Sequence, residues 1–428
     1  MRLFFWLCLL LLIPGMLARI DAGGAGILAM DIVLLVFSVI WLAKKIIIDR
    51  SFPRNRWVGS GFLLVGILFA TWLLGAGDLS TEGKLLSAAY LIRIVEFLIF
   101  GWAATDLFSR EEKLLTKFFT ISAVVILLGF VQFVLVPDIS HFSTEGGLDP
   151  HIGRLLGTWL DPNYFAGFLG FLLPLVIGSW YRERKWWLLL LVAATMVALF
   201  LTFSRSGLLA AGVGLLFFFA WKDWKIILIA VLVAALGIAA SPRAQKRIGE
   251  LAGTARSIIL RDTDEIDPTA SLRLMNWKKS LTLWEKSPIV GTGYGTYRWA
   301  AAEEGIVDEN YYSAGGADST HLTTLVTSGV LGFLVYLFFL GKLWWQGWQP
   351  WRQQRNPVSL GFAAGLLALV VHACFVNSLF FPLLFVPVMA MAGVLENSRE
   401  NRGTCFLRSR PVGRSNHSRP LENSRETR

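Results

Sequence analysis

Long uninterrupted apolar runs recur through this chain, near residues 3–20, 25–43, 57–76, 84–105, 116–136, 163–180, 186–203, 205–220, 224–240, 319–340, 358–377 and 380–395. A helix needs about 20 such residues to cross a hydrocarbon core of about 30 Å. Inside lipid every backbone N–H and C=O must be satisfied within the protein, which leaves only helices and closed barrels. Continuous runs, rather than alternating ten-residue segments, select helices. The chain is 55% hydrophobic and 16% charged, a composition whose solvent is largely hydrocarbon. We therefore expect an all-α polytopic membrane protein with about twelve spans.

Lys and Arg in short loops mark the cytoplasmic side. Lys44, Lys45, Arg50, Arg54 and Arg56 lie in one loop, and Arg110, Lys113 and Lys117 in another. "RERK" at 182–185, "WKDWK" at 221–225 and "WRQQR" at 351–355 fall on the same side if twelve spans alternate, with both termini cytoplasmic. Arg2 followed by a short apolar run ending in "GMLA" has features of a cleavable signal; we read it as a retained anchor. The net charge of +10 comes largely from loop bias and an Arg-rich tail, so it does not point to nucleic acid. Cys8, Cys374 and Cys405 have no metal-ligand spacing, and neither a metal site nor a disulfide framework is expected.

The organisation we expect is N-terminal helices over 1–136, central helices with an external loop over 137–240, a large external loop over 241–318, C-terminal helices over 319–395 and a disordered tail over 396–428. The tail repeats "LENSRENR" as "LENSRETR". Within the large loop, Leu272, Met275 or Asn276, Lys279 and Leu283 fall at helical spacing, which predicts an amphipathic helix on the membrane surface ending at Ser287-Pro288. The "GTGYGTY" that follows has glycines but no flanking strand and helix, so it reads as a turn rather than a phosphate cradle.

Titratable residues at the external ends of spans carry the chemistry. Arg205 occupies a connection of almost no length between two apolar runs, where a guanidinium costs several kcal/mol unless paired or solvated. Asp161-Pro162 reads as an N-cap with proline in the first turn, and Arg154 and Asn163 flank it as candidate ligands. Arg93 and Glu96 lie three residues apart and are expected to form an ion pair on one helix face. Asp318, with Ser319 and Thr320, opens an apolar run; the pattern is also a good N-cap signature, and a capping residue can be catalytic as well. His321 lies one turn on, sharing a face with Asp318, and is the alternative base.

The succession "RLLGTWLDPNYFAGFL", "TFSRSGLLAA", "LRLMNWKKSLTLWEKSPIVGTGYGTY" and "DSTHLTTLVTSGVLG", over roughly 150–335, resembles the O-antigen ligase and O-antigen polymerase superfamily. The resemblance implies a metal-independent, inverting glycosyltransferase of the bacterial inner membrane, needing no cofactor. It would move a glycan from undecaprenyl diphosphate to a hydroxyl on a glycan or lipid acceptor, on the external side. The motif carries the diphosphate-binding arginines to Arg205 and Arg273. Where ligases have His-Asn or His-Ser, this chain has Asp318-Ser319, and Thr327 stands where a Glu is common; the exchange favours a polymerase-like enzyme.

The residues argue for the same chemistry. Cleaving a sugar–diphosphate bond builds negative charge that arginine forks can hold, and an attacking hydroxyl needs a proton acceptor, for which Asp318 is the candidate. A transporter or flippase of lipid-linked glycans is the main alternative. It predicts charges midway along several spans and a repeat between halves, whereas these charges gather at one surface. A non-catalytic scaffold would leave Arg205 and Arg273 replaceable.

Overall fold

The computed structural model describes residues 1–22, 25–108, 111–140, 151–228, 268–306 and 315–408. They form α1 (Arg2–Leu10), an antiparallel hairpin of β1 (Arg19–Ala22) and β2 (Ala25–Leu28), α2 (Ala29–Ala43), α3 (Val58–Gly75), α4 (Thr81–Leu107), α5 (Glu111–Leu135), α6 (Pro162–Glu183), α7 (Trp186–Leu201), α8 (Arg205–Lys222), α9 (Pro268–Lys286), α10 (Tyr297–Glu303), α11 (Thr320–Gln354), α12 (Pro357–His372) and α13 (Pro382–Arg408). Among the described residues, six helices are long and apolar enough to cross a membrane: α3, α4, α5 from Leu114, α6, α8 and α11. Three shorter apolar helices, α7, α12 and α13 up to Glu396, join them.

The count of twelve spans is not reached among the described residues. The run expected over 3–20 is α-helical only from Arg2 to Leu10; Pro14, a short 3-10 turn at Gly15–Ala18 and the hairpin then divert the chain. Polar Arg19 and Asp21 and the glycines of "RIDAGGAGIL" explain why hydropathy overran the helix. The next span accordingly begins at Ala29 rather than 25. The expected 224–240 span lies mostly outside the described residues. Two helices outlast their apolar runs: α11 continues through "WRQQ" to Gln354, and α13 passes the expected tail boundary at Glu396 to reach Arg408.

α6 is the centre of the bundle, with 83% of its apolar window buried, against 28% for α8 at the periphery. α12 crosses it closely because glycines face backbone: a Cβ on Gly361 or Gly365 would lie 2.5 Å from the Pro174 or Phe171 carbonyl oxygen. Lipid supplies no hydrophobic drive between helices, so such backbone approach and its dispersion contacts hold the pair. α4 meets α13 in the same way, and Thr105 Oγ1 donates to the Gly393 carbonyl at 3.0 Å.

α11 is broken inside the apolar region, at Gly329 with φ +63° and ψ −173°. The loop after α9 repairs the break. Thr292 N–H donates to Val326 O at 3.0 Å and Gly293 N–H to Thr327 O at 2.9 Å. On the other side, Val330 N–H donates to Pro288 O at 2.9 Å and Leu331 N–H to Ile289 O at 3.3 Å. A non-helical stretch at membrane depth is tolerated only when protein satisfies it in this way. The glycines of "GTGYGTY" thus serve backbone contact: a Cβ on Gly291, at φ +74°, would sit 2.5 Å from the Thr327 carbonyl carbon. α9 stops at Lys286, just before Ser287-Pro288 as its sequence suggests, and delivers this loop to the break.

Gly329→Ala drives a methyl into the Ile289 carbonyl at a left-handed position. We expect it to cost at least about 2 kcal/mol, read as a lowered thermal midpoint in detergent. Gly341→Ala in the same helix, where a Cβ meets nothing within 4 Å, should stabilise or leave the midpoint unchanged. Equal midpoints for the two variants would contradict the repaired break.

Candidate active site

A cavity of about 450 Å³ opens between α4, the hairpin, the first turns of α6 and α11, helices α9 and α10, and the 375–382 segment. Asp318, Arg273 and Asn163 line it together. So do Arg19, Arg93 and Arg298, which gives four arginines against the two carboxylates Asp161 and Asp318. The lining favours an anion.

Asp318 is not the cap of α11. Ser319 is: its hydroxyl accepts from Leu322 N–H at 3.3 Å and donates to Ala373 O at 3.1 Å. Asp318 stands one residue outside the helix with φ +52°, a conformation that Asp tolerates better than most residues but at some cost. Its Oδ2 accepts from Asn276 Nδ2 at 3.0 Å. Asn276 is in turn held by α9, where Ser280 Oγ donates to the Asn276 carbonyl at 2.7 Å. That uses the serine proton, so the Tyr297 hydroxyl, 2.7 Å away, donates to Ser280 Oγ. Burial pushes the Tyr297 phenol above its ordinary range, and the Asp318 charge adds to this.

Arg273 and Asn276 are three residues apart on α9, so one helical turn carries the cavity's arginine and the group that orients its aspartate. Asn276, rather than half-exposed Met275, takes the inward position, while Leu283 packs with Tyr297, Ala301, Ala317 and Val326. This buried cluster seats α9 on α10 and α11.

The remaining expected site residues lie elsewhere. His321 Nε2 is 2.8 Å from the Val370 carbonyl, which can only accept, so this nitrogen carries the proton. Nδ1, 2.9 Å from the Tyr336 hydroxyl, must then accept. Both ring nitrogens tie α11 to its own second half and to α12. Arg154 Nε donates to Thr202 O at 2.8 Å and holds the end of α7. Arg205 is exposed at the start of α8, outside the cavity lining; neighbouring Ser204 caps α8 and donates to Asn163 Oδ1 at 2.9 Å. Asp161 caps α6 as its sequence suggests, accepting from Asn163 N–H at 2.6 Å and Tyr164 N–H at 3.1 Å.

The Arg93–Glu96 ion pair is not formed. Arg93 Nε and Nη2 instead donate to the two oxygens of Asp31, at 2.9 and 2.7 Å. Asp31 also accepts from Leu28 N–H at 2.9 Å at the start of α2. Glu96 is buried, and its Oε2 has no hydrogen-bond partner among the described residues. A charge within a span finds its partner on another helix, which spacing along one helix cannot reveal. Arg93, Arg298 and Arg19 are the cavity arginines our sequence reading did not assign to the site; the intramembrane charge of Arg93 was the available signal.

Such a helical membrane scaffold around a cationic cavity with one oriented carboxylate fits enzymes that handle phosphorylated, lipid-borne substrates. Residues 188–337, from α7 into α11, match the family model described as O-antigen ligase, a stretch shorter than half of the chain. This match supports the O-antigen ligase and polymerase superfamily and a membrane-embedded, glycosyltransferase-like enzyme acting on lipid-linked glycans. No curated protein matches the chain.

The geometry separates capping from chemistry at the start of α11. Ser319→Ala should lower the thermal midpoint by the equivalent of about 1 kcal/mol. Asp318→Gly, which relieves the left-handed backbone, should lower it less or raise it. The reverse order would make Asp318 the structural cap.

Proposed function

We propose that this protein transfers a glycan from undecaprenyl diphosphate to an acceptor hydroxyl at the external face of the bacterial inner membrane, in a polymerase-like reaction. The observation that carries the reading is the cavity shared by Asp318 and Arg273, with the Asp318 carboxylate oriented by a residue one turn from that arginine. The exchange of His-Asn or His-Ser for Asp318-Ser319 supports polymerase over ligase.

In this mechanism the carrier diphosphate lies against Arg273, whose fork holds two phosphate oxygens, with Arg205, outside the lining, as a further cation and Asn163 as a neutral donor. The acceptor oxygen attacks the anomeric carbon from the face opposite the diphosphate, so the configuration inverts. The new C–O bond forms as the bond to the diphosphate oxygen breaks, and that oxygen leaves with the electron pair. Asp318 Oδ1 receives the hydroxyl proton, while Asn276 keeps Oδ2 occupied and the carboxylate aimed. Arginines supply the electrostatic stabilisation of the leaving group, with no metal ion required.

His321 is assigned no proton transfer, because both of its ring nitrogens serve helix contacts. Arg154 acts on the α7–α8 connection that carries Arg205, rather than on substrate.

In a strain lacking its own copy, Asp318→Asn and Arg273→Gln should each reduce glycan turnover by about 10² or more at wild-type membrane abundance. Undecaprenyl-linked repeats should accumulate. Losses for Arg205→Gln should be smaller, and His321→Gln should retain activity in proportion to folded protein. Full activity in both Asp318→Asn and Arg273→Gln would overturn the proposed site, and a stalled unattached long chain would indicate ligase rather than polymerase.

A further inference from the structure

The cavity offers more guanidinium donors than one leaving group requires, and they come from different elements. Arg273 comes from α9, whereas Arg93 comes from α4 and faces the cavity beside Tyr90, Tyr294 and Trp299. Its guanidinium stands 5.8 Å from the Tyr90 ring centroid. Asp31 takes Nε and one side of Nη2, so the guanidinium is locked in orientation, and the Nη1 edge makes no hydrogen bond to the described residues. The pair is largely enclosed, with side-chain exposures of 21% for Arg93 and 12% for Asp31.

An arginine inside a membrane span is costly unless it has a use, and a simple structural pair would spend both edges on protein. Here one edge is spent and the other is offered. A fixed guanidinium edge matches two oxygens of a phosphate or a carboxylate. The aromatic rings around it offer flat faces for the apolar sides of sugar rings.

We propose that Arg93, positioned by Asp31, forms a second oxyanion subsite that binds an anionic group of the acceptor, either the diphosphate of a second lipid carrier or the carboxylate of an acidic sugar. This rests on the glycan-transfer reading, in which Arg273 serves the donor. Arg298 and Arg19 also line the cavity.

The test is calorimetric titration of the purified, detergent-solubilised protein with inorganic diphosphate, and separately with glucuronate. Wild type should bind inorganic diphosphate at two sites, with Arg273→Gln and Arg93→Gln each losing a different one. Because Arg93→Gln strands the Asp31 carboxylate, the double variant Asp31→Asn with Arg93→Gln serves as a neutral replacement whose thermal midpoint is checked first. The Arg93 site should weaken about 10-fold or more in either variant. Diphosphate at this site assigns a lipid-linked acceptor; glucuronate alone, weakened by the same variants, assigns an acidic sugar.

A single diphosphate site lost in Arg273→Gln, with glucuronate unbound, would overturn the proposal. So would affinities in the folded double variant equal to wild type for both probes. Failure of the donor reading is distinguishable, because it would leave the titration of Arg273→Gln like that of wild type.

Discussion

The structure depends on backbone satisfaction where water is absent. α11 gives up its helical ladder at Gly329, and the carbonyls and amides released there are taken by residues 288–293. That exchange fastens the end of α9 to the middle of a membrane helix. The position of α9 then fixes both Arg273 and Asn276, so the geometry of the candidate site follows from a set of main-chain hydrogen bonds beneath it. The buried Leu283, Tyr297 and Val326 cluster adds a second attachment along the same face.

Charges are managed by the same rule. Some charged or titratable groups near the bundle are held by long-range protein contacts outside the cavity lining, and others are held on one side and leave another side to the cavity. His321 and Arg154 belong to the first kind by their contacts with Val370, Tyr336 and Thr202. Asp318 and Arg93 belong to the second, each held on one side by Asn276 or Asp31. Fixed orientation is what a polar site in a low-dielectric surrounding needs, since fixed groups stabilise developing charge without reorganising.

Much of the bundle was legible because hydropathy reports spans directly, and the Asp161-Pro162 start of α6 and the Ser287-Pro288 stop of α9 are local signals. The hairpin was not legible, since Arg19–Leu28 sits between two apolar runs that averaging merges. Asp318 and Arg273, singled out in the sequence by residue type and order, line one cavity, but their neighbours there were not legible. Arg93 pairs with Asp31, 62 positions away, rather than with Glu96, and His321 meets Val370, 49 positions away. Long-range partners of this kind depend on how helices cross, which periodicity does not encode. The glycines of "GTGYGTY" are similar: their residue type announces an unusual backbone, but only the break at Gly329 explains the need.

The central claim is that a lipid-linked diphosphate and Asp318 meet in one cavity. The direct measurement is a structure of the Asp318→Asn protein with an undecaprenyl-diphosphate-linked sugar bound. The account predicts phosphate oxygens within hydrogen-bond reach of the Arg273 guanidinium and the first sugar facing residue 318, with space of about 3–3.5 Å for an attacking oxygen. A donor bound with its diphosphate away from Arg273, or with its sugar on another surface of the bundle, would contradict it.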